Sequence, residues 1–288
     1  MAVHVPVLLQ QALLFLSPKA NQDFIDATAG EGGYAKEILK LNSPGGKVIA
    51  IDWNSEVISE LKKNIRSDRL IAVSGNFKDI DSLAEKSGVK EIHGVVFDLG
   101  LSRFLLEKSG RGFSFRKDEP LKMSFDKESE KTAEEIINRY SAKDLEKLFH
   151  DYGQERFSKR TAEAIVRARP IHSSLELAKI IAKAVPQRFK IHPATRIFQA
   201  LRIAVNDELF NLEQALPKAV KLIARGGRVV VVSYHSLEDK IVKNIFKEEA
   251  RMRKVKILTK KPVEPEENEI KANPSSRSAR LRVVEKII

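Results

Sequence analysis

Three carboxylates stand at the ends of predicted strands. Asp26 precedes the glycine-rich run Ala29-Gly-Glu-Gly-Gly33, and Asp52 and Asp98 end later apolar runs. A strand that enters a glycine loop at a helix start, followed by a strand that ends in an acid, is typical of a nucleoside cofactor site. Backbone N–H groups and the helix N-terminus would attract an anionic or zwitterionic ligand there. Asp52 is then placed to accept hydrogen bonds from ribose hydroxyls.

The identity of the nucleoside depends on the charge around the loop. Gly30, Gly32 and Ala35 have the spacing of a dinucleotide fingerprint, so a nicotinamide dehydrogenase is one alternative. Asp26 favours another ligand, because its carboxylate would repel a pyrophosphate and attract an amino group. A ligand that carries an ammonium group, a carboxylate and a ribose is S-adenosylmethionine, which we predict as the cofactor.

The elements that position these residues follow from the apolar pattern. Short strands alternate with helices over residues 23–100, which indicates a parallel sheet covered by helices. Strands are predicted near residues 23–28, 47–52, 70–75, 94–99, 228–233, 255–259 and 280–287. Residues 132–190 read as helices without strands, and a long helix over residues 194–214 and another over residues 217–224 follow them.

This alternation predicts an α/β fold with a Rossmann-like, mostly parallel sheet. The helices without strands interrupt it. We therefore expect residues 1–104 and 194–288 to form a discontinuous cofactor-binding domain, and residues 105–193 to form a helical insertion.

Composition limits the classes of partner. Lys and Arg number 51 against 39 Asp and Glu, a formal charge of +12 that favours a polyanion such as nucleic acid; a basic enzyme without such a partner is the alternative. Without cysteine there are no disulfides or thiolate metal sites, and the six His are scattered, so no metal is predicted.

The apolar run Val5 to Leu16 is interrupted by polar residues and predicts an amphipathic helix. We therefore expect a cytoplasmic protein that does not cross a membrane.

Several blocks of the chain resemble a single family. They are His4-Val-Pro-Val-Leu-Leu, Asp26-Ala-Thr-Ala-Gly-Glu-Gly-Gly, Ala50-Ile-Asp52, Phe97-Asp-Leu-Gly-Leu-Ser102, Arg111-Gly-Phe-Ser-Phe115, Thr195-Arg-Ile-Phe-Gln-Ala-Leu-Arg-Ile-Ala-Val-Asn-Asp-Glu208, Val232-Ser-Tyr-His-Ser-Leu-Glu-Asp-Lys240 and Asn273-Pro-Ser-Ser-Arg-Ser-Ala-Arg-Leu-Arg282. In this order they are similar to the bacterial MraW family of ribosomal RNA small subunit methyltransferases H. The glycine loop is generic, but the blocks from Thr195 and Val232 are nearly specific to that family.

The resemblance implies a class I S-adenosylmethionine-dependent methyltransferase fold. The implied reaction is methyl transfer from S-adenosylmethionine to N4 of a decoding-region cytidine, position 1402, in 16S ribosomal RNA. The implied partner is 16S ribosomal RNA, within the small ribosomal subunit, and the enzyme would be a monomer or a homodimer. The implied cofactor contacts are Gly32, Gly33, Tyr34, Asp52, Phe77 and Asp98.

The chain departs from the family pattern at three places. Tyr34 replaces the usual His, Leu105 replaces the usual Gln, and residues 118–126 lack one acid and one Arg. The loss of a polar group at Leu105 keeps open a second alternative, which is an RNA-binding ribosome-assembly factor with a degenerate cofactor site.

Methylation of a cytosine amine requires that the nitrogen be held in line with the methyl group. We predict that Asp98 contacts the cofactor or the amine, that Ser102 adds a polar group, and that His235 orients the substrate or removes a proton. The alternative for Asp98 is a carboxylate that caps the following turn, and the alternative near His235 is helix capping by Ser236. RNA contacts are predicted at Arg111, Phe113, Phe115, Arg160 and Arg167.

Overall fold

The protein divides into two compact units in a computed structural model that describes residues 6–186 and 192–288. The first unit comprises Met1–Gly100 and Leu209–Ile288, and the second comprises Leu101–Glu208. His4, which opens the first of the motif blocks, lies outside the described residues.

A seven-stranded sheet forms the centre of the first unit. Its strands are β1 (Phe24–Asp26), β2 (Val48–Asp52), β3 (Leu70–Ser74), β4 (Ile92–Asp98), β5 (Ile223–Ser233), β6 (Val255–Ile257) and β7 (Arg280–Lys286). They lie in the order β3-β2-β1-β4-β5-β7-β6, and β7 is antiparallel to both neighbours while β1 to β5 are parallel. Each strand overlaps a predicted strand, and the sheet is mostly parallel, as the alternation of apolar segments predicted.

Helices precede, follow and connect these strands. They are α1 (Leu9–Leu16), α2 (Gly33–Leu41), α3 (Ser55–Asn64), α4 (Ile80–Lys86), α5 (Arg103–Glu107), α6 (Ala133–Arg139), α7 (Ala142–Asp151), α8 (Ser158–Arg167), α9 (Ser174–Ala184), α10 (Ala194–Asn206), α11 (Glu208–Leu222), α12 (Ser236–Arg251) and α13 (Glu267–Ala272). No helix within residues 6–186 and 192–288 combines the length and the apolar character that crossing a bilayer would require.

Both faces of the sheet are buried. Along β4, Val95 and Phe97 pack into one cluster with α4, α11 and α12, whereas Val96 packs into another with α1, α2 and α3. Successive strand side chains point to opposite faces, so a strand covered on both sides is apolar throughout. This explains why the central strands read as continuous hydrophobic runs.

The two long helices separate at a different residue from the predicted one. The predicted break at residues 214–217 is wrong, because α10 ends before Asp207, which has a φ of 49°, and Pro217 lies inside α11. Leu216 and Val220 are buried on the same helix face. Burial on both sides of the proline therefore offsets its missing backbone hydrogen bond.

The second unit has its own hydrophobic core, which includes α10. Ile197 and Leu201 of this helix are fully buried in one cluster with Ile137, Leu145 and Phe149. The sequence pattern predicts that residues from 194 onward belong to the cofactor-binding domain. The compact unit instead extends to Glu208, because the apolar face of α10 packs inside it.

A buried ion pair joins α12 to β7 in the first unit. Arg282 is 9% exposed, and its Nε and Nη2 donate to the two oxygens of Asp239 at 2.6 and 3.1 Å. Arg280 donates to the same carboxylate at 3.2 Å. Burial alone would raise the pKa of Asp239, but the hydrogen bonds and charges of the two arginines outweigh it and lower that pKa.

Replacement of Arg282 by Ala should destabilise the protein by about 3 kcal/mol, because it leaves the buried Asp239 carboxylate with one weaker partner. Urea unfolding at pH 7 measures this loss. Arg277→Ala, at an exposed position near β7, is the matched control and should change the unfolding free energy by less than about 0.5 kcal/mol. Equal stabilities for the two variants would contradict the role given to the ion pair.

Candidate active site

The glycine loop between β1 and α2 is tightly packed. Gly32 precedes α2 with a φ of 88°, and a Cβ there would lie 2.3 Å from Leu61 Cδ1. A Cβ on Gly33 would lie 2.2 Å from Pro6 Cγ. Packing within the first unit is thus one reason for glycine at both positions, in addition to the close approach of a ligand that the sequence pattern predicts.

Asp26 joins the end of β1 to the first turn of α2. Its carboxylate is 1% exposed and accepts hydrogen bonds from the backbone N–H groups of Thr28 at 3.3 Å and Ala35 at 3.1 Å. Burial raises the pKa of Asp26 to about 7, and the nearby charges of Asp98 and Asp52 add to this effect. The sequence predicted that the Asp26 carboxylate attracts an amino group. In the structure its two hydrogen bonds also connect the glycine loop to the first turn of α2.

Asp52 connects the end of β2 to the same loop. Its Oδ2 accepts from the backbone N–H of Gly30 at 3.0 Å, and its Oδ1 accepts from that of Asn54 at 2.9 Å. The side chain of Asn54 caps α3 by accepting from the N–H groups of Glu56 and Val57, so Asp52 is not needed as the cap. Desolvation raises the pKa of Asp52 to about 6.

Asp98 is fixed from two sides at the end of β4. Its backbone N–H donates to Thr28 Oγ1 at 2.6 Å, and its Oδ1 accepts from the Tyr234 hydroxyl at 2.7 Å and from the N–H of Gly100 at a longer 3.4 Å. Desolvation raises the pKa of Asp98 to about 6, although the two hydrogen bonds to its carboxylate lower it in part. Neither Thr28 nor Tyr234 was identified from sequence as a site residue.

An aromatic ring and an unpaired amide follow β3. Phe77 opens a short 3-10 helix, is partly buried, and meets Phe97 edge to face with ring centroids 5.8 Å apart. The neighbouring Asn76 is 8% exposed and its Oδ1 accepts from the N–H of Lys78, but its Nδ2 has no hydrogen-bond partner among the described residues. A buried donor without a partner is costly. It therefore fits an acceptor supplied by a nucleoside base.

Tyr34 has its polar tip directed into the protein. The side chain is 3% exposed, and its hydroxyl donates to the carbonyl oxygen of Val7 at 2.7 Å. The first backbone N–H groups of a helix have no partner within the helix. The predicted contact of Tyr34 with a cofactor would thus come from its main chain, which explains why Tyr in place of His is acceptable there.

His235 caps α12. Its Nδ1 accepts from the N–H of Glu238 at 3.4 Å, while Glu238 Oε2 accepts from the N–H of His235 at 3.3 Å and from that of Tyr234 at 2.8 Å. The Nε2 atom lies 3.1 Å from Glu238 Oε1 but outside hydrogen-bond geometry. This reciprocal cap accounts for His235 without catalysis. In the described ranges, no group of His, Asp and Glu could hold a metal ion.

Ser102 and Leu105 have local roles in the second unit. The Ser102 hydroxyl accepts from the N–H of Leu105 at 3.3 Å and caps α5. Leu105 is 7% exposed and belongs to the core cluster of that unit. An apolar residue at this position is therefore stabilised by packing, whereas the predicted catalytic contact of Ser102 stays a prediction.

Two of the predicted RNA contacts are buried. Arg111 is 5% exposed and donates to the carbonyl oxygens of Ser124 at 3.2 Å and Phe125 at 2.8 Å. Phe113 is 6% exposed and stacks on Phe125 with centroids 5.6 Å apart. These contacts organise the altered segment at residues 118–126. They argue against direct RNA contact at Arg111 and Phe113, which the aromatic and basic composition had suggested.

The other three predicted RNA contacts are more accessible. Phe115 is partly buried between His192, at a centroid distance of 4.6 Å, and Phe198, at 5.1 Å. Arg160 and Arg167 are exposed on α8. They are seven residues apart and so lie on the same helix face.

Known proteins match this chain over its whole length. Residues 1–287 match the model of the MraW methylase family. Ribosomal RNA small subunit methyltransferase H from Halothermothrix orenii is 44% identical and that from Persephonella marina is 43% identical, each match covering 100% of both chains. A solved rRNA methylase from Streptococcus thermophilus is 10% identical, with 100% of both chains covered and a TM-score of 0.46, a likeness too distant to bear on function.

Replacement of Asp26 by Asn should flatten the dependence of stability on pH. The pKa of Asp26 is raised from 3.8 to about 7, so its protonated form stabilises the fold below pH 4, and that contribution is lost as the pH rises to 7. Urea unfolding between pH 4 and 8 should show a smaller decline for Asp26→Asn than for the wild type. Asp68→Asn, at an exposed position, is the control; a decline equal to that of the wild type in Asp26→Asn would contradict the prediction.

Proposed function

Because the chain belongs to the MraW methylase family, we propose that it transfers a methyl group from S-adenosylmethionine to N4 of cytidine 1402 in 16S ribosomal RNA. Membership rests on the full-length family match and on relatives more than 40% identical. A methyltransferase of this family needs one site for the methyl donor and one for the amine. The residues of the first unit supply the donor site.

The observation that carries the choice of cofactor is the group of three carboxylates. Asp26, Asp52 and Asp98 end the neighbouring strands β1, β2 and β4, and the charges of Asp52 and Asp98 both raise the pKa of Asp26. A dinucleotide pyrophosphate would meet this negative charge, whereas S-adenosylmethionine brings an ammonium group and a sulfonium. The charge of the site therefore favours S-adenosylmethionine over a nicotinamide cofactor.

Each carboxylate has a distinct part in this proposal. Asp52 accepts hydrogen bonds from the ribose hydroxyls, and Asp26 attracts the ammonium group while it holds the glycine loop. Asp98 lies beside the amine that is methylated. Asn76 donates its free N–H to the base, and Phe77 packs on the ring. The bound S-adenosylmethionine supplies an electrophilic methyl group on a good leaving group.

Asp98 is the residue that can assist the amine. The cytosine N4 forms a bond to carbon and loses a proton in the reaction, so an acceptor beside it both orients the lone pair and takes up the proton. A carboxylate whose pKa is about 6 accepts a proton more readily than an ordinary aspartate. We therefore propose Asp98 for this task in preference to His235, which caps α12.

The RNA-binding surface is proposed on the second unit. Arg160 and Arg167 of α8 supply positive charge for phosphates, and Phe115 offers a ring to an unstacked base. Lys159 is also exposed on the same helix. We further propose that the target is read within the small ribosomal subunit, and that the enzyme acts in the cytoplasm because its substrate is ribosomal RNA.

The alternative of an assembly factor with a degenerate site is less well supported. It rested on Leu105, which belongs to the core of the second unit. The donor side of the site retains its three carboxylates, its glycine loop and an unpaired amide. A decayed site would have no reason to keep three buried acids together, because their repulsion is destabilising.

The reaction can be tested in cells that lack the protein. Mass spectrometry of decoding-region fragments of 16S ribosomal RNA should show loss of the N4 methyl group at cytidine 1402, restored by the wild type. Asp98→Asn removes the proton acceptor and should lower the methylation rate at least about 100-fold, a typical contribution of a general base. An unchanged methylation pattern without the protein would overturn the proposed reaction.

Charge reversal on α8 tests the proposed RNA-binding surface. The variant Arg160→Glu with Arg167→Glu should weaken binding of small-subunit RNA and reduce the slope of log affinity against log salt by about 2, because two phosphate contacts are lost. Filter binding between 50 and 200 mM salt measures both effects. Lys86→Glu, an exposed position on the first unit, is the control, and equal slopes in both variants would exclude α8 from the surface.

A further inference from the structure

The Tyr234 hydroxyl donates a 2.7 Å hydrogen bond to Asp98 Oδ1. We propose that Tyr234 is a positioning residue that fixes the orientation of the Asp98 carboxylate and favours its charged form. The inference rests on the proposed function, which gives Asp98 its part in the reaction. Tyr234 need not touch the cofactor or the RNA for this role.

The sheet register places Tyr234 beside Asp98. Asp98 ends β4 and is paired with Val232 of the parallel neighbour β5. Tyr234 comes two residues after Val232, immediately beyond the end of β5. The two side chains therefore meet at the carboxyl edge of the sheet, where ligands bind in open α/β folds.

The backbone of Tyr234 is held by the helix cap that follows it. Its N–H donates to Glu238 Oε2 at 2.8 Å, and Glu238 is 3% exposed. The same carboxylate oxygen accepts from the N–H of His235, whose side chain caps α12. In this proposal the Tyr-His-Ser-Leu-Glu-Asp block holds the backbone of Tyr234 so that its hydroxyl donates to Asp98.

The ring of Tyr234 packs against the turn that follows Asp98. A Cβ on Gly100 would lie 2.8 Å from Tyr234 Cε2 and 2.9 Å from its Cζ. The ring thus lies directly on the Gly100 backbone, where no larger residue fits without displacement. One side chain contacts both the carboxylate of Asp98 and the chain two residues beyond it.

The surroundings of Asp98 make this hydrogen bond important. Burial and the charge of Glu238 raise the pKa of Asp98, and the hydrogen bonds from Tyr234 and Gly100 oppose them. The charge of Asp98 also acts on Asp26 and on Tyr34, since it raises the pKa of both. The pKa of Tyr234 is itself raised well above 10, so its hydroxyl stays protonated and acts as a donor at physiological pH.

Tyr234→Phe removes the hydrogen bond and keeps the ring on Gly100. The first measurement is the titration of Asp98 in the cofactor-free protein, by NMR of carboxyl-labelled aspartate assigned with Asp98→Asn. Loss of one hydrogen bond to the carboxylate should raise the midpoint by about one pH unit. Tyr152→Phe removes the hydroxyl of an exposed tyrosine in the second unit and should leave the midpoint unchanged.

The second measurement is the affinity for S-adenosylmethionine by calorimetry. A midpoint raised from about 6 to about 7 makes the charged form of Asp98 about fivefold rarer at pH 6 and changes it less than twofold at pH 8.5. Asp98 is also one of the cofactor contacts that the family resemblance implies, so the affinity of Tyr234→Phe for S-adenosylmethionine should fall by these factors. In the Asp98→Asn background the same substitution should produce no further loss.

The results separate the positioning role from the proposed function. An unchanged Asp98 midpoint in Tyr234→Phe, or an affinity loss of equal size at both pH values, would overturn the positioning role. A further loss in the Asp98→Asn background would do the same. The NMR midpoint needs neither cofactor nor RNA, so a shifted midpoint together with absent methylation would count against the proposed reaction and support the positioning role.

Discussion

Like charge at the sheet edge is the constraint around which the first unit is organised. Asp26, Asp52 and Asp98 end three neighbouring parallel strands. Burial raises the pKa of each, and the charges of Asp98 and Asp52 raise the pKa of Asp26 further. Repulsion of this kind opposes folding, so the surrounding backbone must supply compensating hydrogen bonds. A cationic ligand relieves the same repulsion. The same repulsion therefore opposes folding and gives this edge of the sheet affinity for a positively charged methyl donor.

The compensating hydrogen bonds come mostly from the main chain. N–H groups of the glycine loop and of the first turn of α2 donate to Asp26 and Asp52, whereas Asp98 receives a side-chain hydroxyl from Tyr234. Every residue except proline supplies a backbone N–H donor, whereas most substitutions of Tyr234 remove its hydroxyl. Asp98, the carboxylate proposed for the chemistry, is therefore the one whose charge depends most on a single replaceable neighbour.

The strands and the glycine loop were predictable because alternation of apolar segments and glycine spacing are local signals. The burial of Arg111 and Phe113, which argues against the predicted RNA contacts, was not predictable, since a basic and aromatic cluster has the same composition on a surface and in a core. Their burial depends on Phe125 and Ser124, which lie more than ten residues along the chain. The break at Asp207 was not predicted for a similar reason. Burial of α11 outweighs the tendency of Pro217 to end a helix.

The sequence by itself determined the fold class, the family and the three acids at strand ends, because each of these depends on patterns along the chain. Only the tertiary structure decided which of the polar residues near the site serve as helix caps. Asn54 caps α3 and leaves Asp52 to the loop, whereas Ser102 and His235 are themselves caps. It also decided that Tyr234 supports Asp98, since that contact joins residues 136 positions apart. A hydrogen bond between distant segments follows from sheet register and packing, which no local spacing encodes.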